Sequence, residues 1–543
     1  MTFYIILALI LSVFAIAPLC YPGYFQTHSG FTPLWNVIDL RANWGHWTWI
    51  PQVAINFDPL RSDGLLPYYL AGILPLEAVT AVKLVMGLGW LLGNVGMFLW
   101  LKNWLGPAGA LSAGLVYTYL PHQITTLYVR GAWGESFFWG WLPWAIWAAT
   151  FSVTSPKLSV LLIVAWCWFS LGLSQLGLTI WALIFMMILL LTLHRTRSFR
   201  PIGAALLGAA AAVMVYASMT TFSSVAPVTF TDHFLYPFQL FSAYWGFGAS
   251  RSGWADGLSF QLGLAAIGLA MLTIILLWQR PTAERPQLSR MDRRLIFFTG
   301  TAIIVALLQF KPTVFIWNLP IAPGYALAGL LAYPWQLLGF SGLGLAVLAG
   351  AALWLDKQLT HLPLFGAIVI LVVLSSYNYL APQFIPIDQY LQDKPQAQLG
   401  EAQLTLLSHD FSVMTHGNTA GLELGQTTIP LAVSEPLQGN HILNLDVTWQ
   451  PLQIFADDLK IFVHLVDSND HILAQFDGQP KAGTYPTSQW IPGEIIADSY
   501  PILFPDNAPP GPYRVFVGLY DEASGLRLPV LNDSEGRVML DVE

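Results

Sequence analysis

The chain has 543 residues; 55% are hydrophobic, 10% are charged, 23 are Trp, and the net charge is −8. Soluble domains carry about 25% charged residues, so an ordinary soluble fold is excluded and a membrane protein is expected. The charge is also uneven: residues 381–543 hold 21 of the 31 acids but only 6 of the 23 bases, which marks two domains in different solvents.

Apolar stretches fall at about 3–21, 80–101, 107–124, 137–153, 157–173, 176–193, 201–220, 261–278, 295–309, 335–354 and 363–380. Each is near the length that crosses a hydrocarbon core, so about eleven membrane spans are expected. The first stretch has no basic flank and no small-residue cleavage site, and reads as a retained span rather than a cleaved signal peptide. The segment 65–79, LLPYYLAGILPLEAV, is too short to cross and carries Pro67 and Pro75, so it reads as interfacial or re-entrant. Both cysteines, Cys20 and Cys167, sit in apolar stretches, and no disulfide framework is implied.

Loop charge orients the spans. Lys102, Lys157, Arg195, Arg197, Arg200, Arg280, Arg285, Arg290, Arg293, Arg294 and Lys357 fall on one side, which the positive-inside rule makes cytoplasmic. The N-terminus is then cytoplasmic. The outer loops are 22–79, 125–136, 221–260 and 310–334. Seven of the ten acids before residue 381 gather there: Asp39, Asp58, Asp63, Glu77, Glu135, Asp232 and Asp256. Acids collected on one face of a membrane protein are the first place to look for chemistry. The aromatics at 35, 44, 47 and 49 suit helices lying at the headgroup level, with stacking on sugar rings as the sharper alternative.

Past Pro382 the pattern changes to short alternating runs. KIFVHLVD at 460–467 followed by HILAQFDG reads as a hairpin, and GPYRVFVGLYDEASGLRLPVL at 511–531 as a second, around ASG. Further strands are expected near 402–413, 441–449, 495–504 and 537–542. Residues 383–543 are therefore read as an external all-β sandwich following a membrane domain of residues 1–382. His464 alternates with apolar neighbours and reads as a satisfied core histidine.

No phosphate loop, dinucleotide fingerprint, CxxC pair or HExxH stands in a supporting context, so nothing points to an ATPase, an oxidoreductase or a zinc protease. The spans are nearly free of ionisable groups, which tells against a transporter. Candidate chemistry is left to the outer loops. Arg130 and Glu135 in YVRGAWGE are either a pair closing a helix end or a carboxylate aimed into an outer cavity. Asp39 in IDLRANWGH has Arg41 beside it, and His46 would share its face on a continuing helix. It reads as a surface ion pair, or as a general base or donor-binding group. Asp58 and Asp63 around Arg61 read as turn chemistry. Asp232 and His233 fit helix capping as well as metal binding.

One cytoplasm-starting span, a long outer loop, a short second outer loop with an acid, many spans and an outer soluble domain together resemble the GT-C glycosyltransferases. The stretches PLRSDGLLPYYLAGIL at 59–74, AGLVYTYLPHQITTLYVRGAWGES at 113–136, LGLSQLGLTIWAL at 171–183 and WNLPIAPGYALAGLLAYPWQLLGF at 317–340 resemble, more closely, the bacterial membrane proteins labelled 6-pyruvoyl-tetrahydropterin-synthase-related. The tail KIFVHLVDSNDHILAQFDGQPKAGTYPTSQWIPGE resembles the β-domain appended to many of these. The resemblance implies transfer of a sugar from a polyprenyl-phosphate lipid to an envelope glycan or protein acceptor on the outer face of the cytoplasmic membrane. Membrane lipids are then partners and nucleic acid is not. It implies Asp39 and Glu135 as catalytic acids, with Glu135 matching an RGxxxE-like motif. Arg130, His28, His46, Arg251 and Lys311 would hold substrate and phosphate. No metal ligands are named, and a divalent metal is left open. The chain departs from the pattern at Ser29, Gln175 and Gln336, where the relatives often have Asp, His and Arg. A non-catalytic scaffold or glycan-binding subunit is the alternative.

Topology is checked by cysteine labelling from outside the cell. Asp470→Cys is expected to be labelled and Arg285→Cys spared; the reverse pattern would place the acids on the cytoplasmic side.

Overall fold

The computed structural model describes residues 2–45, 49, 58–194, 199–219, 230–248, 250, 253–254, 256–279, 290–322, 325–385, 397–399, 404–415, 441–451, 455, 457–467, 470–490, 496–504, 513–522, 524–528 and 536–540. The protein is mostly helical, with a separate β region towards the C-terminus. It divides into two compact units. One holds Met1–Thr27, Pro33–Pro51 and Phe57–Ile385; the other is built on Pro386–Glu543 with His28–Thr32. The first unit runs a little past the expected limit at 382, because β4 (Phe384–Ile385) pairs antiparallel with β1 (Tyr24–Phe25).

The helices in chain order are α1 (Thr2–Ile16), α2 (Thr32–Ala42), α3 (Leu66–Ile73), α4 (Ala78–Thr118), α5 (Pro121–Ile124), α6 (Trp133–Thr154) and α7 (Leu158–Ser174). They continue as α8 (Leu176–Leu189), α9 (Arg200–Met219), α10 (Leu264–Trp278), α11 (Arg290–Leu307), α12 (Val314–Trp317), α13 (Leu338–Leu355) and α14 (Leu362–Ser376). Helix lies on each of the eleven expected stretches. Among the described residues, six segments are long and apolar enough to cross a membrane: Phe3–Cys20, Ala78–Thr118, Leu176–Leu193, Arg200–Ser218, Pro334–Leu355 and Leu362–Tyr379. The difference has local causes. Two expected spans lie in α4; α6 is long enough but carries Glu135, Pro143 and five Trp that lower its hydropathy; α7 and α10 are apolar but shorter; and α11 opens with the charged run RMDRR. α3 has eight residues, too few to cross.

α4 is a helical hairpin rather than one rod. At Gly106 the backbone is non-helical (φ 73°, ψ 171°), and Pro107 follows. A positive φ of this kind is open to glycine and closed to most other residues. The two arms then run back against each other. Trp90 Nε1 donates to the Thr118 carbonyl at 2.9 Å, and a Cβ on Gly114 would lie 2.1 Å from Asn94 Oδ1. Asn94 also donates to Ser12 Oγ at 2.7 Å and the Ala8 carbonyl at 3.0 Å, which ties α1 to the hairpin. α13 is the most enclosed helix and packs on α4, α10 and α11. Where lipid surrounds a bundle, burying a leucine gains little, and close backbone approach at small residues drives association. The sequence LGFSGLGLAVLAGAA of α13 suits that role.

In the second unit, β5 (Ala397–Leu399), β6 (Leu404–Thr415), β7 (His441–Pro451) and β10 (Ile496–Phe504) form one sheet, ordered β10-β7-β6-β5. β8 (Lys460–Val466), β9 (Ile472–Gly478), β11 (Arg514–Tyr520) and β12 (Val538–Leu540) form the other, ordered β12-β11-β8-β9. All pairings are antiparallel. Residues of both sheets, among them Leu445, Trp449, Val463, Leu465 and Val515, share one apolar core. The chain turns back near Ser524 and Gly525, with Leu528 N bonded to Leu519 O and Asp521 N to Leu526 O. His464 is half-buried, with its ring 4.9 Å from that of Phe462.

The α4–α6 crossing depends on Gly140, where a Cβ would meet the Gly89 carbonyl at 1.9 Å. Gly140→Ala is expected to lower the thermal midpoint by an amount matching about 1–3 kcal/mol of overpacking. Gly203→Ala in α9, with open space at that position, is expected to leave it unchanged or raise it. Equal midpoints for the two variants in detergent would refute this packing.

Candidate functional site

Glu135 lies in the first turn of α6 and is 1% exposed. That position favours an anion, because the free N–H groups and dipole of a helix start are positive. The chain reaches α6 through α5, a π-helical turn at Thr125–Val129 and Gly131, whose φ is +64°. This path brings Arg130 back over the helix it precedes. Arg130 Nη1 lies 2.9 Å from Glu135 Oε2. Gln336, in the short turn Pro334–Leu337, donates from Nε2 to the same oxygen at 2.8 Å. On the other oxygen, Trp139 Nε1 lies at 3.5 Å and His122 Nε2 at 3.9 Å. A buried carboxylate needs such partners, since an isolated one would cost many kcal/mol.

Gln336 is itself held. Its Oε1 accepts from the Ala332 and Tyr333 amides, both at 3.0 Å. Arg130 stacks on the Trp335 ring at 4.5 Å, and Trp335 stacks on Tyr333 at 4.6 Å. Trp335 Nε1 donates to Ser250 Oγ at 3.3 Å, and Ser250 Oγ is 2.9 Å from His233 Nδ1. The guanidinium therefore has an ion pair along its edge and an indole against its face.

The second carboxylate of the cluster is Asp63, not Asp39. Asp63 Oδ1 accepts from the Glu135 backbone N–H at 3.0 Å. α6 has Ala132 at its N-cap and no capping side chain of its own, so an acceptor must come from elsewhere. Glycine lets the two segments meet: a Cβ on Gly134 would lie 2.4 Å from Ser174 O and 2.7 Å from Gly64 N. Gln175 closes the arrangement. It caps α8 by accepting from Gly177 N and donates to Arg61 O, both at 3.3 Å. Burial pushes the Asp63 carboxyl up to about 6, against the amides of Glu135 and Gly134 and the charge of Arg130, which lower it. The neighbouring Glu135 charge adds to the rise.

The other expected residues separate from this cluster. Asp39 Oδ2 accepts from Trp49 Nε1 at 2.7 Å and Oδ1 from Asn43 Nδ2 at 3.2 Å. Among the described residues, no hydrogen bond or ion pair joins it to Glu135 or Asp63. Arg41 does not pair with Asp39. It donates to the carbonyls of Ala71 and Leu74, both at 2.9 Å, and so closes the end of α3. α2 stops at Ala42, and Gly45 has φ +100°, so the helix that would have carried His46 beside Asp39 has already ended. His46, Trp47 and Arg251 lie outside the described residues. Trp35 and Trp49 are buried within the protein, and Trp44 is exposed. His28 is half-buried in the turn before α2, and Lys311 is exposed at the head of a short turn. Asp58 does make a turn, accepting from Leu60 N at 2.8 Å. No group of three His, Cys, Asp or Glu suited to a metal occurs among the described residues.

Sequence reasoning missed Asp63. The available signal was the RGAWG run before Glu135, which offers α6 no capping side chain. The chain matches no protein-family model, and no curated protein is similar to it.

Asp63 and Glu135 are expected to differ in what their charges do to stability. Because the folded-state pKa of Asp63 is raised, its contribution is fully present below about 4 and lost as pH rises through about 6. Asp63→Asn keeps the acceptor and removes that charge. Its thermal midpoint should equal or exceed the parent's at pH 7.5, with the gain gone at pH 4.5. Glu135→Gln removes the charge that Arg130 pairs with at 2.9 Å and should fall by several degrees at pH 7.5, in line with about 3–5 kcal/mol for half a buried pair. Equal midpoints for both variants would refute the assignment.

Proposed function

We propose that this is a membrane glycosyltransferase of the GT-C kind, with about eleven spans and a β-sandwich on the outer side of the cytoplasmic membrane. It transfers a sugar from a polyprenyl-phosphate donor to an acceptor on that side. The observation that carries this reading is the meeting of Asp63, Glu135 and Arg130 at the first turn of α6. Two carboxylates in unlike surroundings beside one cation suit base-assisted displacement at an anomeric carbon. The acceptor hydroxyl attacks that carbon and passes its proton to Asp63, which is half-buried and titrates near neutrality. The bond to the donor phosphate breaks, and the phosphate leaves with the electron pair. Arg130 opposes the charge that develops on it. Glu135 holds Arg130 in place, and Asp39 supports the outer loop through Trp49 rather than acting as base.

A specific observation favours a second reading. Both oxygens of Glu135 have partners, and Gln336 stands where the related proteins often carry Arg. A scaffold that holds a lipid-linked glycan without transferring it would tolerate both.

The test uses the full chain in proteoliposomes with a panel of polyprenyl-phosphate hexoses. Asp63→Asn is expected to lose about 100-fold or more in transfer, the scale of a general base, and Asp39→Asn to stay within about threefold of the parent. Parental activity should rise with pH through about 6. Donor binding without transfer by the parent, or full activity in Asp63→Asn, would favour the scaffold.

A further inference from the structure

A seam between two helices runs away from the Glu135 cluster. α8 begins beside it, with Gln175 at its cap. Down α8 and the π-helical turn after it (Leu190–His194), Trp181, Phe185, Leu189 and Leu193 recur every four residues. On α11 and the residue after it, Arg294, Phe297, Thr301, Val305 and Leu308 recur at three and four, one helical stripe. One cavity lies between these stripes, and a second, lined mainly by α4 and α6, meets their far end at Leu189, Leu193 and Arg294. One, of about 350 Å³, lies between α8 and α11 and is lined by Phe185, Ile188, Phe297, Ile304 and Leu308 among others. Its lining is almost wholly apolar. The other, of about 170 Å³, lies at the end remote from Glu135 and is lined by Trp104, Trp147, Leu189, Leu193, Asn103 and Arg294. There the Arg294 guanidinium sits 4.5 Å over the Trp104 ring.

The two cavities differ in chemistry and share no lining residue, but Arg294 and Phe297, one turn apart on α11, line one each. A long apolar slot open along its side, with Ile296 and Ile304 about 60% exposed, ends in a cation backed by indoles. An occupant that fits is amphipathic, with an anionic phosphate head and a hydrocarbon chain. Basic pockets between membrane helices take such lipids.

We propose that the α8–α11 seam binds an anionic glycerophospholipid, its phosphate against Arg294 and Trp104 and one acyl chain along the slot towards Leu308. This lipid is distinct from the sugar donor, since its phosphate lies at the opposite end of α8 from Glu135. It holds α11 against α8.

Native mass spectrometry of the full chain in detergent tests this. The probes are phosphatidylglycerol, phosphatidylcholine with the same chains, and glycerol phosphate. Phosphatidylglycerol should bind about tenfold or more tightly than either of the others. Arg294→Gln should weaken it by a similar factor. Gly300→Leu should do so by filling the slot, since a Cβ on Gly300 points into open space. If Arg294→Gln does not fold, Gly300→Leu decides. Equal binding of the two lipids, glycerol phosphate binding as tightly as phosphatidylglycerol, or unchanged affinity in Gly300→Leu would each overturn the proposal.

Discussion

The carboxylate of Glu135 is almost wholly buried at the start of α6, and the surrounding bundle must neutralise it there. Arg130 supplies the charge, Gln336 a hydrogen bond and Asp63 the cap that orders the turn. These groups come from three stretches far apart in the chain. Removing one weakens the set that holds a buried carboxylate, at a cost of several kcal/mol. The 58–65 loop, the α7–α8 break and the turn before α13 are therefore held to one another through this ion pair as well as by packing.

Much of the fold was legible because it rests on composition and period. Long apolar runs made helices, and alternating runs made strands at 460–466, 472–478 and 496–504 within a residue or so of the expected limits. Less legible was anything decided by a partner distant in sequence. SDG at 62–64 has the residues of a turn, and Asp58 does form one. Asp63 looks the same on paper but faces a helix that has no cap. The Trp residues at 35 and 49 looked interfacial because indole prefers a headgroup layer. They are buried because α2 folds inward, and Trp49 finds its acceptor in Asp39.

Candidate site residues divided for the same reason. Glu135 and Arg130 are close in sequence and joined by a local path, so their pairing was readable. Asp39 and His46 needed α2 to continue, and it stops at Ala42. Gln175 and Gln336 looked like losses against the pattern expected from the sequence. In place they carry bonds a cation could not make, because each accepts from backbone amides with one end of its side chain and donates with the other.

The π-helical turn at Thr125–Val129 sets the aim of Arg130. Arg130 N bonds back five residues to Thr125 O rather than four. That turn holds one residue more than an α-helical turn, so everything after it is rotated by about 100° relative to a regular helix. A regular helix through the same residues would point the guanidinium away from Glu135 and leave the indole of Trp335 facing nothing charged. One inserted residue in the backbone thus acts as a phase shift. Losing one residue from this turn would switch the ion pair off in a single step, with no side chain exchanged.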